Sequence, residues 1–179
     1  MPNHYDAAAV RRFIDELVAR VASQFQSNLP LNIVGIRTRG ETLAARLEAT
    51  LKKRGFTQIG RGALDITLYR DDLSEIGPRP LVKPTILNMS LDGVPMLLVD
   101  DVLFTGRTVR AALDQLSDFG RPSAIRLAVL VDRGGRELPI RADYCALTLG
   151  ELPRDQRVKV KLIENDGQDE IIVGPRSDP

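Results

Sequence analysis

One cysteine, Cys145, and one histidine, His4, are the only thiol and imidazole in the chain. A single thiol excludes an internal disulfide framework and a cysteine-based zinc site. Without a second histidine or a cysteine cluster, transition-metal catalysis has no ligand set. A Ser-His-Asp triad would have to recruit His4 from a loose N-terminal end. Neither sign of charge is in surplus: 25 Lys and Arg stand against 24 Asp and Glu, a formal net charge of +1. No global basic field announces a nucleic acid partner. No apolar run is long enough to cross a bilayer, and the opening MPNHYDAAAVRR has no signal-peptide hydrophobic region. The expected setting is cytoplasmic, with no membrane partner.

What the chain does contain is ordinary for a folded protein. Its 179 residues are 43% hydrophobic and 27% charged, enough to bury a sizeable core and too apolar for disorder. We expect one domain over residues 1–179. The cations are mostly arginine, with lysine only at positions 52, 53, 83, 159 and 161; arginine suits bidentate contact with phosphate or carboxylate.

Residues 6–26 carry Val10, Phe13, Ile14, Leu17, Val18, Val21 and Phe25 at helical spacing, with Asp6 placed to cap. Residues 31–36 read as a short apolar strand. The polar turn Arg37-Thr38-Arg39-Gly40 leads into a helix over 41–54, stopped by Gly55, and a strand over 63–69 follows. Residues 70–95 are rich in proline and long for a connection; 87–91 with Asp92-Gly93 reads as one arm of a small hairpin. Then come a buried strand over 96–99, a helix over 108–119, and a continuous apolar strand over 125–131. A strand near 142–147, two late strands near 158–163 and 170–173, and a frayed tail complete the pattern. Alternating strands and helices argue an α/β fold around a mainly parallel sheet flanked by helices.

The most informative stretch is VDDVLFTGRT (99–108). Two carboxylates, Asp100 and Asp101, stand side by side where a buried strand ends, and ligands of open α/β sheets bind beyond such strand ends. Two carboxylates suit a pair of vicinal hydroxyls, as on a ribose, and can hold Mg²⁺ indirectly through water. The turn Thr105-Gly106-Arg107-Thr108 opens a helix, whose unpaired N–H groups and positive dipole end attract an anion. Together they make a cradle for a ribose 5-phosphate. Taken alone, the stretch is also compatible with a solvated strand end and a capping turn. Two other motifs fail on inspection. GIRTRGET (35–42) fits a P-loop except that Glu41 replaces the lysine, and a carboxylate there would repel phosphates. Gly60-Arg61-Gly62 lacks the third glycine of a dinucleotide fingerprint and follows no obvious strand.

VDDVLFTGRT resembles the diphosphate-sugar signature of the type I phosphoribosyltransferases. With GIRTRG (35–40), LDITLYRDDL (64–73) and LAVLVDRGGRELPIRADY (127–144), the chain is similar to the PyrR family within them. These are pyrimidine-operon attenuators with uracil phosphoribosyltransferase activity. The resemblance spans about residues 10–173. It implies the type I fold with a flexible lid loop and a small hood. It also implies transfer from 5-phosphoribosyl 1-diphosphate to uracil, giving UMP and pyrophosphate with Mg²⁺, in a homodimer or higher assembly. On this resemblance Arg37, Thr38, Arg39 and Gly40 hold pyrophosphate and Asp100 and Asp101 hold the ribose and, indirectly, the metal. Thr105, Gly106, Arg107 and Thr108 hold the 5′-phosphate. Arg39, Arg70, Asp100 and Asp101 are the expected catalytic set. Residues 70–95, with Arg70, Arg79 and Lys83, suit a lid that excludes water.

Purine salvage enzymes of this superfamily place an aspartate just before the Thr-Gly turn. Here that position is Phe104, which can be neither acid nor base, so the sequence leans away from purines. Phe104, Val131, Asp132 and Arg133 are the expected base pocket. The family binds pyrimidine-operon leader mRNA under control of uridine nucleotides (UMP, UTP), and Arg136 and Arg141 match its basic RNA face. The rest of that face departs. Asp15, Glu16 and Ala19 stand where a Thr-Arg pair and a nearby histidine are common, Gly135 replaces another histidine, and Leu147 a lysine. Acids facing phosphates weaken RNA affinity. A salvage enzyme that has lost RNA binding, and a catalytically silent nucleotide sensor, remain the alternatives.

Overall fold

Asp6 separates the first strand from the first helix, its carboxylate accepting the Ala9 N–H at 2.9 Å. The computed structural model describes residues 4–67 and 84–175. Along the chain these form β1 (His4–Tyr5), α1 (Ala7–Ala22), β2 (Leu31–Ile36), α2 (Arg39–Lys53), β3 (Ile59–Leu64), β4 (Ile86–Leu87) and β5 (Met96–Leu103). Then follow α3 (Arg107–Leu116), β6 (Ile125–Asp132), β7 (Tyr144–Thr148), β8 (Gln156–Lys161), α4 (Ile163–Asp166) and β9 (Glu170–Pro175). A six-stranded sheet runs in the order β4-β3-β2-β5-β6-β7. Its five longer strands are mutually parallel, and only β4 is antiparallel to its neighbour.

Parallel strands are buried on both faces, and alternation divides their side chains between two cores. Ile33, Leu97, Val99, Ala128 and Leu130 face α1 and α2, meeting Leu17, Val18, Leu43 and Leu47. Val34, Met96, Leu98, Leu127 and Val129 face the other way and meet Val109, Ala112 and Leu116 of α3. A buried leucine or valine of this kind contributes about 1.5–3 kcal/mol. A second sheet, β1-β9-β8, is wholly antiparallel. Its Val158, Val160, Ile171 and Val173 join the α1–α2 core, while Arg157 and Lys159 between them are exposed. This is the small hood.

Several boundaries differ from the sequence reading, each for a local reason. α2 begins at Arg39 rather than at residue 41, so Arg39 and Gly40 are its first turn. β5 continues to Leu103 because its ladder with β6 runs on through Val102↔Val131 and Leu103↔Asp132. Asp100 and Asp101 therefore lie within a paired strand, not beyond it. Gly60, Arg61 and Gly62 lie in β3, paired to Asn32, Ile33 and Val34. Residues 86–87 pair with β3, not with the following strand, so the expected hairpin arm is an edge strand instead. The helix α4 was not anticipated at all. No helix among the described residues is long and apolar enough to cross a membrane.

Candidate active site

Two glycines bring the loop after β2 against the end of β5. A Cβ on Gly35 would lie 2.3 Å from the Gly40 carbonyl oxygen and 2.4 Å from Glu41 Cα. A Cβ on Gly40 would lie 2.5 Å from the Val99 carbonyl oxygen and 3.2 Å from Asp100 Cα. Only hydrogen fits at either place, so the start of α2 seats directly on the strand that carries the acidic pair. The Arg37–Thr38 peptide is cis. Thr38 precedes α2 without a side-chain cap, which leaves the first-turn N–H groups free of a capping side chain. Arg37 pairs with Glu41 at 3.0 Å, and its Nε is buried without a partner.

Asp100 is 6% exposed, and its Oδ1 accepts the Asp101 N–H at 2.9 Å. Burial, and then the neighbouring Asp101 charge, push its pKa well above the usual carboxylate range. Asp101 is half-buried; burial raises its pKa too, opposed by the hydrogen bond to Asp100 and the nearby Arg39 charge. The arrangement keeps two acid oxygen pairs at one sheet end in need of hydroxyl donors or a hard cation.

After β5 the chain turns through Thr105 into Gly106, whose φ of +93° is the left-handed region that suits glycine. Gly106 precedes α3 and, lacking a side chain, offers that helix no cap of its own. Thr105 Oγ1 accepts the Arg107 N–H at 3.3 Å, Thr108 is exposed, and Arg107 pairs with Glu137 at 2.7 Å. The expected phosphate turn is thus a helix start following the acidic pair, with its first N–H already bonded to Thr105. Arg70, Arg79 and Lys83 lie outside the described residues.

The base-pocket expectation needs correction. Val131 is fully buried and, like its neighbour Leu130, packs with the α1–α2 core, so only its backbone is available to a base. Arg133 is 6% exposed. Its guanidinium carbon stands 4.0 Å from the centre of the Phe104 ring, its Nη2 donates to the Pro153 carbonyl at 3.3 Å, and its Nε has no partner. Burial lowers its pKa. It backs the ring. Asp132 is committed to the Gly134 N–H at 2.9 Å and to Arg136. Phe104 alone of the four presents an exposed side chain, at 36%.

The RNA-face expectation is also divided. Arg141 is exposed. Arg136 instead ties its own loop together, donating to Ile140 O at 2.9 Å, Phe104 O at 2.6 Å, Gly134 O at 3.2 Å and the Asp132 carboxylate. Asp15, Glu16 and Ala19 are exposed on α1. Leu147 packs against the α1–α2 core. A Cβ on Gly135, at φ +69°, would lie 2.6 Å from Phe104 Cε2.

One group of polar residues was missed by sequence reading. Along one face of α2, Arg39 and Arg46 form ion pairs with Asp166, Glu164 and Asp169, while Thr42 hydrogen-bonds Asn165. The i, i+3, i+7 spacing of Arg39, Thr42 and Arg46 was a visible signal, but its partners lie more than a hundred residues downstream.

The family model described as the phosphoribosyl transferase domain matches residues 5–158. A Bifunctional protein PyrR from Roseiflexus sp. (strain RS-1) is 48% identical over 162 residues, covering 90% of this chain and 88% of its own. That from Chloroflexus aurantiacus is 54% identical over 141 residues, covering 79% and 77%. That from Clostridioides difficile (strain 630) is 44% identical over 168 residues, covering 94% of each. Among solved structures, a hypoxanthine phosphoribosyltransferase from Trypanosoma cruzi superposes with a TM-score of 0.70 at 20% identity, covering 95% of this chain and 93% of its own. At that identity the likeness concerns the fold.

Proposed function

The chain belongs to the PyrR family of phosphoribosyltransferases, and from that premise we propose that it transfers the phosphoribosyl group of 5-phosphoribosyl 1-diphosphate to uracil. The products are UMP and pyrophosphate. The single observation that carries the reading is the seating of Gly40 on Val99 and Asp100. It puts two helix starts, those of α2 and α3, around one acidic pair. A substrate with a phosphate at each end of a ribose matches that layout.

In the reaction the C1′–oxygen bond breaks with its electron pair leaving on pyrophosphate, and uracil N1 bonds to C1′ as its proton passes to the departing pyrophosphate or to water. Positive charge develops on the ribose at the transition state. Asp100 and Asp101 hold the ribose hydroxyls and place negative charge beside it. The α2 start with Arg37, Thr38, Arg39 and Gly40 takes the pyrophosphate charge; Thr105, Gly106, Arg107 and Thr108 fix the 5′-phosphate. Phe104 offers the base a ring face and no proton-transfer group, so positioning and electrostatics supply the rate.

The acidic pair fits Mg²⁺ on its chemistry: hard oxygen donors, buried and mutually repelling. Two carboxylates do not make a cage, and no cluster of three metal-ligating acids, histidines or cysteines exists among the described residues. Mg²⁺ in such sites keeps its waters and shares substrate oxygens; bound, it supplies charge neutralisation of the diphosphate.

The test is incubation of pure, folded protein with uracil, 5-phosphoribosyl 1-diphosphate and Mg²⁺. UMP formation is expected; its absence refutes the enzyme reading. The relatives' printed word "bifunctional" favours a second role, UMP-responsive binding of pyrimidine-operon leader mRNA. Its support here is Arg141, exposed on the loop before β7. Asp15, Glu16 and Ala19 on the exposed face of α1 count against a strong grip. Salt-dependent, UMP-stimulated binding to leader RNA supports the role, and no binding at low salt by active enzyme leaves a salvage enzyme. Self-association as a homodimer or higher form is expected by sedimentation.

A further inference from the structure

We propose that Asp166, in the hood, is a positioning residue for pyrophosphate: it grips one edge of Arg39 and thereby aims the other edge at the end of the sheet that carries Asp101. Arg39 is the first residue of α2. Its Nε donates to Asp166 Oδ2 at 3.1 Å and its Nη2 to Asp166 Oδ1 at 2.6 Å. This is a bidentate fork, which fixes the plane of a guanidinium as well as its position. Five N–H donors are available on the group. Two are used, so Nη1 and the second Nη2 hydrogen remain for an anion. The Asp101 charge is close enough to act on Arg39, and Arg39 on Asp101.

Asp166 is itself held still. Its Oδ2 accepts the Leu162 N–H at 3.0 Å, so the carboxylate is fixed to the start of α4. The hood does not need Arg39 for attachment. Thr42 Oγ1 meets Asn165 Oδ1 at 2.7 Å, and Arg46 Nη1 reaches Asp169 Oδ2 at 2.8 Å while its Nε reaches Glu164 Oε1 at 2.9 Å. Asp166 is the member of this row aimed at the turn that meets the ligand. An arginine left unheld at a helix start samples many rotamers, and ordering it on binding costs free energy. The Asp166 grip removes most of that cost before pyrophosphate arrives. It also keeps the arginine charged and directional near Asp101.

The inference rests on Arg39 serving pyrophosphate, and the experiment separates the two ideas. In the full-length enzyme, KM for 5-phosphoribosyl 1-diphosphate, for uracil, and for pyrophosphate in the reverse reaction is measured for Asp166→Ala, Asp166→Asn, Asp166→Glu, Arg39→Ala and Thr42→Val. Asp166→Ala and Asp166→Asn should raise both diphosphate KM values about tenfold, leaving the uracil KM unchanged, with Asp166→Glu recovering part of the loss. Thr42→Val breaks a hood contact without touching Arg39 and should change neither. In the Asp166→Ala background, Arg39→Ala should cost less than it does alone. If Arg39→Ala raises the diphosphate KM values and the Asp166 variants do not, Asp166 has no positioning role while the pyrophosphate assignment stands. A uniform change in all three KM values with lowered melting temperature also overturns the inference, as a purely structural role. If Arg39→Ala leaves the diphosphate KM values unchanged, the pyrophosphate assignment itself is wrong.

Discussion

Gly40→Ala tests the geometry on which the site depends. The added methyl would sit 2.5 Å from the Val99 carbonyl oxygen and 3.2 Å from Asp100 Cα. Neither atom belongs to a flexible side chain. To reach even a tight 3.0 Å contact, the α2 start or the β5 end must retreat by about 0.5 Å. β5 is paired on both sides, to β2 and β6, so the movable partner is the loop and first turn that carry Arg37, Thr38 and Arg39. Overpacking of this kind costs about 1–3 kcal/mol, which for a chain of this length lowers Tm by roughly 2–4 °C per kcal/mol. Catalysis suffers more than stability, because a misplacement of about 1 Å in a positioned site costs on the order of 100-fold. We expect kcat/KM for 5-phosphoribosyl 1-diphosphate to fall by about 10- to 100-fold, measured alongside thermal melting. Gly55→Ala is the comparison. Gly55 has φ +91° and nothing within 4 Å of an added Cβ, so it should cost about 1–2 kcal/mol of stability from the left-handed backbone alone and leave kcat/KM untouched. If Gly40→Ala were fully active, the seating of the loop on the acidic strand would not be what organises the site.

Four further outcomes follow from named contacts. Asp100→Asn should abolish transfer yet raise Tm by about 2–4 °C near neutral pH, because it removes one of two buried like charges; a lower Tm would contradict the burial argument. Arg136→Met removes four hydrogen bonds and should cost about 2–3 kcal/mol while raising the uracil KM more than the diphosphate KM. Gly135→His forces a side chain into φ +69° and onto Phe104; it should weaken uracil binding, and Phe104→Ala should relieve its stability cost. Arg46 holds Glu164 and Asp169 below their usual pKa values. Their contribution is complete above the ordinary carboxylate range and is lost as pH falls through the lowered native values. Protection factors of β8 and β9 amides, corrected for the intrinsic exchange rate at each pH, should therefore fall on acidification, and Arg46→Met should lower them already at neutral pH with a flatter acid dependence.

What could be read without coordinates was whatever chemistry writes locally. Asp6 before an apolar helical stripe, the apolar run 31–36 and the run beginning at Ile125 are self-contained signals, and the helix cap and β2 stand where they were placed. VDDVLFTGRT announced an acidic pair followed by a helix start in a few consecutive letters. The extension of β5 was not legible, because Asp100 and Asp101 are poor strand formers held in place by β6 alongside. Edge strand β4 owes its existence to Gly62 and Ala63 across the sheet. Val131 and Arg133 were assigned by proximity in sequence, and burial in the α1–α2 core and a ring contact occupy their side chains. The α2–hood row escaped because the spacing of Arg39, Thr42 and Arg46 does not say which residues they meet, and those partners lie at 164–169.

The glycines and the acids of this site answer to the same constraint. Anion binding through helix starts needs backbone amides brought close to the ligand, and any side chain between them and the sheet would hold them off. Gly35 and Gly40 remove that obstacle on one side and Gly106 on the other. Bringing two positive helix ends to one sheet edge would repel in the absence of ligand. Asp100 and Asp101 sit between them, and of the two Asp101 is partly relieved of its burial cost by the Arg39 charge. On the proposed reading this balance of charges suits a ligand carrying anions at both ends with hydroxyls between. A nucleobase contributes little to that balance. Selection of the base therefore falls to a separate element, the loop after β6 braced by Arg136 and the Arg133–Phe104 stack. Mutations there should alter which base is accepted while leaving the affinity for 5-phosphoribosyl 1-diphosphate near its original value.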